Sequence, residues 1–183
     1  MEPLLILPLI AFLILALLFA LVLRRAGRFL ATTRDVERFR RQVDDLAGRA
    51  EISLAEISDR IDAVRRGQLG ADQVGDDVVA SLEAVGKYAE EARGLHPPRD
   101  GGRIREEIVG ELERAGRALQ MIEHGRSIQA TARAGGREIE AQTSMKRGYL
   151  NVLHAREAIA HQAKAARDLG SSDASGRFAQ RRV

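Results

Sequence analysis

The feature that most constrains this 183-residue chain is an apolar stretch near its N-terminus, PLLILPLIAFLILALLFALVL, which covers residues 3–23. It holds no charged, amide or hydroxyl side chain, and Arg24, Arg25 and Arg28 come close behind it. In helical form, at about 1.5 Å per residue, the stretch measures roughly 31 Å, which matches the hydrocarbon core of a bilayer. A lone segment in lipid must satisfy its backbone hydrogen bonds internally, so we predict a single transmembrane helix here.

A cleaved signal peptide is the alternative interpretation of this stretch. Such peptides have a basic start, an apolar run of about 7–15 residues and a small-residue cleavage site. Here the run is longer, it follows Glu2, and arginines come after it, so we favour an uncleaved signal anchor. Arg24, Arg25 and Arg28 would set the topology and contact anionic lipid. The positive-inside rule predicts an N-terminus outside and a cytoplasmic C-terminal region, in the inner or plasma membrane.

The composition after the span favours an all-α domain. Five aromatic side chains follow residue 23, and these are Phe29, Phe39, Tyr88, Tyr149 and Phe178. A core must therefore be built from Leu, Ile, Val and Ala, which suits close helix packing better than a sheet sandwich. The formal net charge of +3 is too small to indicate a nucleic-acid partner, and we expect none.

The first segment after the span has a coiled-coil-like pattern. Its apolar side chains recur every seven residues, at Phe29, Val36, Val43, Ala50, Ile57 and Val64. The steps from Leu46 to Leu54 form a stutter, where a heptad repeat relaxes toward 3.6 residues per turn. A capping-box pattern begins at Ser53, but the unbroken apolar stripe favours one long helix over residues 24–66. The repeat also extends back to Val22, so we expect the span and this helix to be one rod.

Three shorter amphipathic helices are predicted to follow, over residues 77–94, 103–134 and 137–169. The segment between the first two helices, Gly67–Asp77, is a loop by composition. Gly135-Gly136 leaves two alternatives, a turn between two helices or a weak point in one long helix, and we favour the turn.

Together these segments predict an all-α fold with an N-terminal transmembrane helix that continues into a cytoplasmic antiparallel bundle of about four helices. Each segment has one apolar stripe, and the loops are short enough for the stripes to cover one another. The chain would divide into an anchor at 1–23, the bundle at 24–169 and a disordered basic tail at 170–183. Association with a second copy through the first helix is the alternative way to cover the stripes.

The one cluster of metal-ligating side chains is His154, Glu157 and His161. Offsets of three and seven place all three on one helix face, where imidazole and carboxylate can converge on an ion. The spacing matches neither H-E-x-x-H nor the pattern of di-iron bundles, and the face lies opposite the apolar stripe. We therefore prefer a solvated surface, and we expect no metal, no cofactor and no enzyme activity.

The most sequence-specific stretch is residues 140–157, EAQTSMKRGYLNVLHARE. Within it, Gln142, Gly148, Tyr149 and Asn151 are candidates for a face that docks a partner, with core packing as the alternative. The leading hypothesis is a membrane-anchored scaffold or adaptor that binds protein partners, or a second copy, at the cytoplasmic face. One alternative is a signalling or regulatory subunit that transmits a state through the long first helix. A metal-dependent enzyme that uses the histidine cluster is the other.

Overall fold

The computed structural model describes residues 3–131 and 137–169, with residues 3–16, 18, 20–32 and 131 described by their backbone alone. Four α-helices account for most of this, and they are α1 (Pro3–Arg65), α2 (Gly75–Gly94), α3 (Gly102–Thr131) and α4 (Glu138–Asp168). A short 3-10 helix, Ala71–Val74, precedes α2. The described residues contain no β-strand, so the predicted all-α class is confirmed.

Helix α1 is continuous from the apolar stretch into the bundle. Its 63 residues correspond to a length of roughly 95 Å. The capping-box pattern at Ser53 does not interrupt it, because the Ser53 hydroxyl instead lies 3.1 Å from the hydroxyl oxygen of Tyr88 on α2. The expectation of one rod is therefore met by the helix that the structure shows.

A Schellman motif ends α1. Gly67 has a φ of 72°, in the left-handed region that glycine adopts without strain. The Gly67 N–H donates to the carbonyl oxygen of Val64 at 3.0 Å, and the Gln68 N–H donates to that of Ala63 at 2.8 Å. These two bonds satisfy carbonyl groups that the end of the helix leaves without partners.

The segment between α1 and α2 is more ordered than its composition predicts. Val74 is fully buried, and the Gln73 N–H donates to the carbonyl oxygen of Gly70 at 3.1 Å. The Gly70 N–H in turn donates to the side-chain oxygen of Gln73 at 3.0 Å. Because this 3-10 turn leads directly into α2, that helix begins at Gly75 rather than at the predicted residue 77.

The helices form a ring in which α1 and α3 each pack against α2 and α4. The pairing of α1 with α4 is antiparallel, with 2.7 Å between Glu51 Oε1 and Arg156 Nε and 2.9 Å between Asp44 Oδ1 and Arg167 Nε. This arrangement is an antiparallel four-helix bundle. It encloses only the C-terminal half of α1, since α4 ends level with Arg40, whose Nη2 donates to the carbonyl oxygen of Leu169.

One aliphatic core fills the centre of the bundle. Its largest fully buried side chains are Phe39, Leu46, Leu54, Ile57, Ile61, Ile108, Leu112, Leu119 and Ile122. One large apolar side chain of α4 lies outside this core, since Ile139 is 79% exposed. The core face of α4 is defined by Ala141, Met145 and Val152, and position 139 points away from it.

Helices α3 and α4 are separate and antiparallel. Ser144 Oγ donates to the carbonyl oxygen of Met121 at 2.8 Å, while Gln162 Nε2 donates to Glu107 Oε2 nearer the other end of the pair. The chain therefore folds back between them, although Gly135-Gly136 itself lies outside the described residues. The predicted tail at 170–183 lies outside them as well.

Among the helices whose side chains are described, none contains a stretch long and apolar enough to cross a bilayer. The transmembrane part of the prediction therefore gains no support from the structure. Residues 3–23 are described almost entirely by their backbone, and the two side chains described there, Leu17 and Phe19, are 64% and 65% exposed.

Candidate functional site: a cleft between α3 and α4

Different helices extend beyond the core at the two ends of the bundle. The N-terminal part of α1 leaves the bundle near Arg40. Toward the opposite end, the guanidinium of Arg65 lies 4.6 Å from the ring centre of Tyr149 on α4. From Tyr149, α4 continues back to Glu138, so the α3–α4 pair projects about 16 Å beyond the end of α1. We call this projecting part, residues 121–131 and 138–147, the α3–α4 tip.

An open cleft of about 460 Å³ lies on the outer surface of the α3–α4 tip. Its lining residues are Met121 and His124 of α3, and Ile139, Glu140, Thr143, Ser144 and Arg147 of α4. The hydrogen bond from the Ser144 hydroxyl to the Met121 carbonyl oxygen joins the two walls. The cleft thus combines apolar side chains, a guanidinium, a carboxylate and neutral polar groups on two packed helices.

The backbones of α3 and α4 approach closely because a glycine lies at each of two contacts. A Cβ atom added at Gly148 would lie 2.6 Å from Ile122 Cγ1 and 2.7 Å from the Ala118 carbonyl oxygen. A Cβ atom added at Gly125 would lie 2.7 Å from Met145 Cγ. Distances this short are not tolerated by real side chains, so both positions require glycine, and the walls of the cleft are held at a fixed separation.

The cleft presents an apolar side chain beside a positive charge that is not neutralised. Ile139 is the most exposed large hydrophobic residue among the described ones, at 79%. Arg147 forms no ion pair with any other residue that the structure describes. Glu140 does have a partner, because its Oε2 lies 3.4 Å from Arg137 Nε. The cleft lining therefore holds one carboxylate that is paired and one guanidinium, that of Arg147, that is not.

Arg126 of α3 forms an ion pair within the tip and also packs against the start of α2. Arg126 donates to both carboxylate oxygens of Glu123, at 2.8 and 2.6 Å. These hydrogen bonds stabilise the charged carboxylate and lower the pKa of Glu123 from its usual value. The same guanidinium packs on the α2 backbone, since a Cβ atom added at Gly75 would lie 3.1 Å from its Cζ.

The predicted histidine cluster lies away from the cleft, on exposed positions of α4. His154, Glu157 and His161 are all exposed. In residues 3–131 and 137–169, as far as their side chains are described, no three His, Cys, Asp or Glu groups are arranged to hold a metal ion. The structure therefore gives no support to the metal-dependent alternative. The structure does not describe the side chains of the arginines at positions 24, 25 and 28.

The structure does not bring the residues of the predicted partner face onto one surface. Gly148 is buried against α3, and Tyr149 packs against the core beneath Arg65. Gln142 is exposed on another side of α4, where its Nε2 donates to Glu138 Oε1 at 3.3 Å. The physical reason is the helical step of about 100° per residue, which sends these neighbouring positions in different directions.

The fourth predicted residue, Asn151, is half-buried and does not line the cleft. Asn151 follows Arg147 by four residues, which places both on the same face of α4. The cleft was missed because Met121 and His124 belong to a different helix, and their alignment with α4 depends on the register of packing. The exposed apolar residue of the cleft, Ile139, was missed because its spacing nearly fits the apolar stripe.

Comparisons with family models, curated proteins and solved structures give no match to this chain.

Proposed function

We propose that this chain is a single-pass membrane-anchored helical scaffold or adaptor, not an enzyme, whose bundle binds protein partners at the cytoplasmic face. The observation that carries the proposal is the continuity of α1. One helix contains the apolar residues 3–23 and also supplies one wall of the bundle core. Anything that holds the first part of α1 therefore also fixes the position of the bundle.

The proposed geometry follows from helix dimensions. With residues 3–23 in the bilayer, residues 24–38 of α1 hold the bundle about 22 Å from the end of the span. The α3–α4 tip lies at the opposite end of the bundle and would point away from the membrane. The apolar length of the span and the arginines that follow it support this placement.

The proposal is tested by a mild-detergent pull-down of the full-length chain from native membranes, after a carbonate wash. We expect the full-length protein to stay in the membrane pellet and to retain a protein partner. A variant without residues 3–23 should appear in the supernatant. Release of the full-length chain by carbonate would contradict the anchor. Crosslinking that finds only monomers, with no co-purifying protein, would contradict the scaffold.

A second candidate is a signalling or regulatory subunit that transmits a state along α1. The same unbroken helix favours it, since the pattern at Ser53 causes no hinge. In this case, removal of residues 3–23 should change the geometry of an oligomer, as measured by site-directed crosslinking between bundles. Unchanged crosslinks after removal of the span would rule out transmission and leave the scaffold.

A further inference from the structure

We propose that the cleft at the α3–α4 tip binds an acidic amphipathic helix of a partner protein. An apolar side chain of that helix would pack on Ile139 and Met121, and one of its carboxylates would pair with Arg147. The inference rests on the proposed scaffold function and names the class of partner that the scaffold would hold.

Ile139 supplies the main apolar contact for the partner helix. This side chain contributes nothing to the core and is 79% exposed in the first turn of α4, a position where acidic residues suit a helix better. It lines the same cleft as the half-buried Met121, whose flexible thioether adapts well to a partner surface. An amphipathic helix that lies in a groove covers such residues with its own apolar face.

The unpaired guanidinium of Arg147 favours an acidic partner. Most arginines of the bundle lie close to a carboxylate, as Arg156 does to Glu51. Arg147 has no such partner among the described residues, and neither does the adjacent Lys146. A carboxylate on the incoming helix would neutralise this charge, whereas a basic helix would be repelled.

The walls of the cleft are already in place without a partner. The Ser144–Met121 hydrogen bond and the close contact at Gly148 hold α3 and α4 together along this region. A partner would therefore lose little free energy in ordering the site. The two-helix groove also has the shape that a third helix fits by ridges-into-grooves packing.

The methionines of this chain allow a direct test. They are Met1, Met121 and Met145, so a spectrum with ¹³C-labelled methionine methyl groups is simple to assign. We would reconstitute the full-length chain in neutral-lipid nanodiscs and titrate it with a synthetic amphipathic helix of leucine and glutamate. The Met121 signal should shift, and the buried Met145 should serve as the internal control. A matched peptide with lysine in place of glutamate should cause no shift.

Matched variants separate the cleft from general binding. Arg147→Glu and Ile139→Ser should each weaken binding of the acidic peptide about tenfold, as is typical of central interface residues. Lys164→Glu, an exposed charge reversal near the other end of α4, and Leu150→Ser, which removes an exposed apolar side chain outside the cleft, should leave binding unchanged. Circular dichroism would check that all four variants keep their helical content. Equal binding by Arg147→Glu, or stronger binding of the lysine peptide, would overturn the proposal.

The pull-down from native membranes distinguishes failure of the cleft from failure of the scaffold. A partner that uses the cleft should compete with the acidic peptide for binding. If the double variant Arg147→Glu, Ile139→Ser loses that partner, the cleft proposal is supported. If the double variant retains every partner of the wild type, the scaffold stands and the cleft proposal is wrong. If the wild type has no partner and leaves the membrane, the scaffold is wrong, and the peptide titration alone decides the cleft.

Discussion

At the scale of single residues, the helical glycines fall into two groups that composition cannot separate. Gly148 lies where an added methyl group would meet the α3 backbone at Ala118. Gly110 lies in the middle of α3 with nothing within 4 Å of an added Cβ atom. Both weaken their helices through backbone entropy, but only Gly148 allows a close helix contact in return.

We predict opposite effects of alanine at these two glycines. Gly148→Ala should lower the free energy of unfolding by about 1–3 kcal/mol, because the new methyl group overpacks the contact between α3 and α4. Gly110→Ala should raise it by about 0.4–1 kcal/mol, because it restricts the unfolded chain without a clash. Urea unfolding of the full-length chain, followed by circular dichroism, measures both. Equal effects at the two positions would show that the contact is not close in solution.

Glu123 gives a prediction about pH. Its pKa is lowered by hydrogen bonds from Arg126, so the unfolded chain binds a proton more readily than the folded one. The stabilisation is therefore complete above the unfolded pKa of about 4.3 and is lost as the pH falls through the lower folded value. Unfolding measured between pH 7 and pH 3 should show a smaller loss of stability in Glu123→Gln than in the wild type. An identical pH dependence would exclude a contribution from this pair.

At the scale of elements, the end of α1 depends on one backbone conformation. Gly67→Ala would force a side chain into the left-handed region and should cost about 1 kcal/mol of stability. Gly94→Ala is the matched control, since Gly94 ends α2 without a positive φ and without any atom near an added Cβ. The same urea titration compares the two. A control that is destabilised as much as Gly67→Ala would show that the left-handed φ is not the cause.

The elements themselves could largely be predicted from the sequence, but their contacts could not. The heptad stripe from Val43 to Ile57 identified the core face of α1, because burial follows helical periodicity directly. The start of α2 was misplaced because burial of Val74, which anchors a 3-10 turn, is a tertiary effect. To predict the cleft, one would have to know which turn of α3 faces Arg147. A single sequence does not contain this register between α3 and α4.

At the scale of the whole molecule, α1 is the element that joins two different environments. Its C-terminal half is enclosed by α2 and α4, while its N-terminal half has no other described helix of the bundle beside it. The ion pairs of Asp44 and Glu51 with α4 fix the rotation of α1 relative to the bundle. Under the proposed function, the orientation of the span therefore determines where the α3–α4 tip points.

Because the orientation of the span determines where the α3–α4 tip points, a measurement of membrane topology tests the proposed placement of the bundle. The chain has no cysteine, so a single introduced thiol can be labelled without background, and the unmodified chain is the control. We expect a membrane-impermeant maleimide to label Glu2→Cys in intact cells and to label Ser172→Cys only after the membrane is opened, since the arginines after the span favour the cytoplasmic side. Labelling of Ser172→Cys in intact cells would show that the topology is the reverse of the predicted one. The α3–α4 tip would then face outward, where no cytoplasmic partner could reach it.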